Sequence, residues 1–208
     1  MKNKAEKDLT AIETTEKKSH FWKSSLSFVL EIVKTVIISL AIILPIRYFI
    51  IQPFMVDGAS MEPNFFDNEY LIINEISYRF TEPQRGDVIV FKNPENETQF
   101  FIKRVIALPK ETIKIEEGDI YIRTQGEENF IKINESDYLP EITKTFGNIK
   151  EIKLTNDEYF VLGDNRKNSK DSRIIGPIKE NLIMGKAWIR GFPIDRISVF
   201  KTNYNYGF

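Results

Sequence analysis

The sequence predicts a mainly β protein behind one N-terminal transmembrane helix, and three observations carry that prediction. An apolar segment, "FVLEIVKTVIISLAIILPIRYFII", runs from Phe28 to Ile51. Beyond it the chain turns to short runs rich in β-branched and aromatic residues, separated by Gly, Pro, Asn and Asp. Its 208 residues suffice for one globular domain of ordinary size together with a tail.

Residues 1–27 are polar, with Lys2, Lys4, Lys7, Lys17, Lys18 and Lys23 against four acids, and read as a cytoplasmic tail. In the apolar segment, 28–51, the charge-free part from Thr35 to Ile46 is shorter than the roughly 20 residues a spanning helix needs. Lys34 and Arg47 can snorkel, and counted from Phe28 the segment reaches that length with Glu31 as its one costly member. A buried core helix or a cleaved secretory signal are the alternatives. A secretory signal would need an A-x-A-like site after the apolar run, and Arg47 to Pro53 offers none. Lysines flank the N-terminal side, whereas after Arg47 no base follows until Arg79, so the positive-inside rule places everything after Ile51 outside the cell.

Residues 52–208 carry the strand signals: "YLIINEISY", "GDVIVFKN", "QFFIKRVIAL", "TIKIEEGDIYI", "EYFVLGD" and "GKAWIRGF". Between residues 110 and 155 the runs weaken and charge rises, which predicts a smaller strand-rich cap inserted into the domain.

Composition narrows the chemistry. A net charge of -1 removes bulk attraction to nucleic acid, and the absence of cysteine removes disulfides, a thiolate nucleophile and Cys-based zinc sites. The single histidine, His20, lies before the apolar segment, so a Ser-His-Asp triad or a multi-histidine metal site is not available to the globular part. An acid-base enzyme built from this chain must use Lys, Asp, Glu or Tyr as its base.

Three stretches could supply such chemistry. In "FFIKRVIAL", strand alternation puts Lys103 on one face with Phe101 and Val105. Burial beside such neighbours disfavours the ammonium, and a neutral lysine can act as a general base. A strand lysine whose stem packs while its head reaches water is the plain alternative. In "GASMEP", Ser60 follows Gly58 and Ala59, whose small side chains allow another backbone to approach, although the same stretch also reads as an ordinary turn. A serine hydroxyl there needs an adjacent base to become a nucleophile. "GDNRKNSKDSRIIG", from Gly163 to Gly176, holds Ser169, Ser172 and a potential Asp171/Arg173 pair, and fails as a calcium loop because Arg166 stands where an oxygen ligand is needed.

Together these stretches resemble the type I signal peptidases, in the order membrane segment, Ser60-Met61-Glu62-Pro63, Lys103-Arg104-Val105 with Leu108-Pro109, and Gly163 to Arg173. The single N-terminal span looks like the Gram-positive form. The resemblance implies an antiparallel β catalytic core shared with the SOS-repressor proteases, with a small β cap. It implies cleavage of signal peptides from exported preproteins by a Ser60–Lys103 dyad, with Ser169 hydrogen-bonded to the lysine amine and orienting it. Asp171 and Arg173 would support the loop, and Phe54, Val56, Met61 and Ile102 would line pockets for small side chains at the first and third positions before the cut. No cofactor is implied; the implied partners are preproteins, the lipid bilayer and the export machinery. Two other readings compete: a soluble SOS-type self-cleaving repressor, disfavoured by the apolar segment, and a catalytically silent anchored scaffold, disfavoured by retention of both Ser60 and Lys103. Gly58 departs from relatives that place an oxyanion-binding hydroxyl there.

Overall fold

In a computed structural model of the chain, the described residues are 28–44, 51–200 and 204–207. The predicted tail 1–27, and residues 45–50 of the predicted span, lie outside them. The chain divides into two compact units, 1–48 and 49–208. In the first, α1 covers 28–44 with every residue exposed, the large apolar ones included. Thr35 Oγ1 donates back to Glu31 O at 2.9 Å, as a mid-helix threonine commonly does. Among the described residues no helix is long and apolar enough to cross a membrane. Ile51, the last residue of the predicted segment, opens the first strand.

The second unit is mainly β. Its strands are β1 (Ile51–Met55), β2 (Tyr70–Asn74), β3 (Val88–Asn93), β4 (Asn96–Ala107), β5 (Thr112–Glu116), β6 (Asp119–Arg123), β7 (Ile131–Lys132), β8 (Ile149–Lys153), β9 (Glu158–Leu162), β10 (Ile178–Lys179), β11 (Ile183–Phe192) and β12 (Ser198–Val199). A four-residue helix, α2 (Ser172–Ile175), lies between β9 and β10. The larger sheet runs β1-β2-β11-β3-β4-β9-β10 with β12 on β11; the smaller runs β7-β6-β5-β8. Every pairing is antiparallel.

Side-chain alternation explains how the larger sheet is buried on both faces. Val88 and Val90 of β3 join Ile102 in one apolar cluster, while Ile89 and Phe91 join Val105 in another. The smaller sheet falls within the predicted cap, and its β5–β6 hairpin turns at Glu117 and Gly118, both with positive φ, the conformation whose twist suits two antiparallel strands. Ile113, Ile115, Ile120 and Ile122 close it onto Ile106, Phe160 and Leu162 of the larger sheet. Each isoleucine so buried contributes roughly 1.5–3 kcal/mol, which fixes the small sheet to the strands that carry the site.

Candidate active site

Ser60 sits on the turn between β1 and β2. The turn's ends are clasped by Val56 N donating to Glu69 O and Asn68 N donating to Val56 O, both at 2.9 Å. Gly58, at φ +83°, donates its N–H to Asp67 Oδ1 at 2.7 Å. Beyond Ser60, Phe65 N and Asn64 N both donate to Met61 O, and fully buried Met61 anchors the turn in the core. The serine is thus presented by a peptide segment held on both sides.

Its partner comes from β4. Lys103 Nζ lies 2.7 Å from Ser60 Oγ and donates to Ile102 O at 2.8 Å, with the residue only 3% exposed. Burial brings the amine down from 10.5 to about 8, against the charges of Asp171 and Asp164, which hold it up. The Phe101 ring centroid is 5.4 Å from Nζ and adds apolar surroundings.

The loop from 163 to 176 closes the back of the site. Asn165 N donates to Ser60 O at 3.1 Å, and Asn165 Nδ2 to Ala59 O at 3.0 Å. Gly163 is pressed so close that a Cβ there would meet Ser169 Oγ at 2.2 Å and Ser60 O at 2.4 Å. Because one neighbour is backbone, the contact cannot be relieved by a rotamer change. Gly163→Ala is therefore expected to lower turnover by about 100-fold, the cost of a shift near 1 Å at Ser60, the expected nucleophile, while folding persists. Steady-state kinetics beside a thermal melt check this; unchanged turnover would show that the contact does not position Ser60.

Asp171 is fully buried and accepts from Arg173 Nε at 2.8 Å, Arg173 Nη2 at 2.7 Å and Gly163 N at 3.0 Å. Arg173 also donates to Arg166 O at 2.7 Å and Phe146 O at 3.1 Å, so the Asp171–Arg173 pair ties together the backbone at 163, 166 and 146. Ser169 differs from expectation. Its Oγ is buried against Gly163 without a hydrogen-bond partner among the described residues, and no bond joins it to Lys103. The lysine amine is instead engaged by Ser60 and the Ile102 carbonyl.

The four apolar residues expected to line substrate pockets fall in one cluster, packed with Leu71, Val88 and Val90. Val56, Met61 and Ile102 are buried and Phe54 is half-buried, so three of the four belong to the core, with Phe54 at its edge.

Sequence reasoning missed the polar frame behind the dyad. Arg104, next to Lys103 and pointing to the other face, makes a two-pronged ion pair with Asp164, Nε to Oδ1 at 2.8 Å and Nη2 to Oδ2 at 2.7 Å. It lies over the Tyr138 ring at 4.0 Å and donates to Gly86 O at 2.9 Å. Asn64 Nδ2 bonds both Asp164 Oδ2 and Tyr138 O at 2.8 Å. The available signal was an arginine inside an apolar strand, which demands a buried acid.

An antiparallel β fold that sets a serine hydroxyl against a desolvated lysine amine has the make-up of a serine hydrolase. The family model described as "Signal peptidase, peptidase S26" matches residues 29–192. Among curated relatives, signal peptidase I P of Bacillus subtilis subsp. natto is 33% identical over 84% of this chain and 95% of its own. Signal peptidase I of Leptolyngbya laminosa is 38% identical over 81% and 82%. A solved signal peptidase I from Enterococcus faecalis is 28% identical, covering 51% of this chain and 97% of its own, with a TM-score of 0.41. The chain belongs to the signal peptidase family of serine endopeptidases.

Proposed function

We propose that the protein is a membrane-anchored peptidase that removes signal peptides from exported preproteins, with Ser60 as nucleophile and Lys103 as its base. The carrying observation is the 2.7 Å contact between Ser60 Oγ and an amine only 3% exposed. In its neutral form Lys103 accepts the Ser60 proton as Oγ attacks the scissile carbonyl. It then protonates the leaving amine and later takes a proton from the water that releases the acyl-enzyme. Among the described residues the Ser60 N–H makes no hydrogen bond, which leaves it as a donor for the developing oxyanion, a role worth about 3 to 4 kcal/mol. The Ser169 hydroxyl, buried without a partner among the described residues, is the group that would orient the amine on this reading.

Among the described residues β1 pairs only with β2, which leaves its other edge to receive an extended peptide just before Ser60. On this reading Phe54, at the edge of the packed cluster of Val56, Met61 and Ile102, would face small side chains at the first and third positions before the cut. Cleavage of a preprotein bearing alanine at both positions, with the new N-terminus read by mass spectrometry, tests this. No product at that bond would sink it.

Anchoring rests on the apolar segment 28–51, of which α1 and Ile51 are the described parts, and on the lysines that precede it. It is supported by Met55, Tyr70, Phe192, Ile194, Ile197 and Val199, exposed apolar residues around β1, β2 and β11. Protease added to intact cells is expected to digest residues after Ile51 and spare the tail. Protection of the β domain would reverse the topology.

A further inference from the structure

The cap is joined to the nucleophile by more than its apolar floor. Glu135, just after β7, receives Arg166 Nη1 at 2.7 Å and Nη2 at 2.5 Å, and also accepts from the Tyr138 hydroxyl. Arg166 is 3% exposed and donates as well to Thr145 Oγ1 at 2.6 Å and to Gly163 O at 3.1 Å. Gly163 packs against the Ser60 backbone and Ser169, since a Cβ on it would meet Ser60 O at 2.4 Å and Ser169 Oγ at 2.2 Å. A second route leaves Tyr138 through its carbonyl to Asn64, then to Asp164 and Arg104, the neighbour of Lys103. Both members of the dyad are therefore reached from one carboxylate in a part of the chain that contributes no residue to the dyad.

We propose that Glu135 is a positioning residue, through which the cap holds Arg166 and thereby sets the backbone of Gly163 and Ser60 in register with Lys103. Without Glu135 the buried guanidinium of Arg166 loses its only ion-pair partner among the described residues. It must then turn toward water or toward another acceptor, and either movement releases Gly163 O. Nothing in the relay touches the free edge of β1, so the effect falls on the chemical step and not on substrate binding.

This inference rests on the peptidase reading, and its test separates the two. The full chain in detergent carries Glu135→Ala or Glu135→Gln, and Lys103 is followed by the pH dependence of its Cε signal in NMR alongside preprotein cleavage. The expected result for Glu135→Ala is a fall in kcat of about 100-fold with little change in KM, as for a misplacement near 1 Å, and a Lys103 midpoint moved toward that of an ordinary lysine as the site loosens. Glu135→Gln keeps the shape and one acceptor, serves if the alanine variant does not fold, and is expected to lie between that variant and wild type. Wild-type kcat in both variants overturns the proposal, as does a loss confined to KM with the Lys103 midpoint unmoved. A wild-type chain that fails to cleave would instead remove the peptidase reading, and the Lys103 titration would still decide the relay without turnover.

Discussion

Ser60→Ala and Lys103→Met are each expected to abolish preprotein cleavage, by about 10⁴-fold or more, while the β domain keeps its fold. Losses of that order follow when one member of a nucleophile–base unit is removed, because the remaining member cannot act alone. Folding should survive for a different reason. Ser60 Oγ bonds only to Lys103 among the described residues, and methionine fills the lysine stem's volume without asking the core to hold an amine. The variants should therefore melt near wild type, and preprotein processing followed by gel and mass spectrometry reads the catalytic loss. Either variant retaining most of the wild-type rate would refute the pair.

The proposed pair would also set the pH dependence. With its amine near 8, Lys103 is half neutral at that pH, so kcat/KM should rise through about 8 and level off above it. The stability consequence has the same direction. Between about 8 and 10.5 the unfolded chain holds the proton that the folded chain has released, so this group's contribution to stability grows as pH rises. An NMR midpoint for Lys103 at the ordinary lysine value would remove the neutral-base account.

Much of this was legible because strands announce themselves locally. The alternation in "FFIKRVIAL" placed Lys103 among apolar neighbours, and the weak, charged stretch at 110–155 marked where a second sheet lies. What the same alternation could not show is that β4 is buried on both faces from Ile102 to Ala107, since that depends on which elements cover the sheet. Nor does any local pattern announce the Arg104–Asp164 or Glu135–Arg166 pairs, whose members are 60 and 31 residues apart. The position of the Ser169 hydroxyl is equally non-local, because it is set by how Gly163 packs on the Ser60 turn.

The second large effect concerns that hidden frame: Asp164→Ala is expected to destabilise the domain by about 3–5 kcal/mol, the cost of breaking one side of a buried ion pair. Arg104 is 1% exposed and packed beneath Tyr138 and Tyr204, so its guanidinium has no path to water without disturbing the cap core. Asp164 also terminates the bond from Asn64, and its removal would leave that amide bonded to Tyr138 O alone. Asp164→Asn, which keeps an acceptor of the same shape, should cost clearly less. The double variant Asp164→Ala with Arg104→Met removes both charges and should recover much of the loss, since an apolar pair of similar volume can replace a buried ion pair with little penalty. Urea unfolding of the three variants separates these outcomes. If the double variant is no more stable than Asp164→Ala, the destabilisation comes from lost packing and hydrogen bonds around Asn64, and not from a stranded charge.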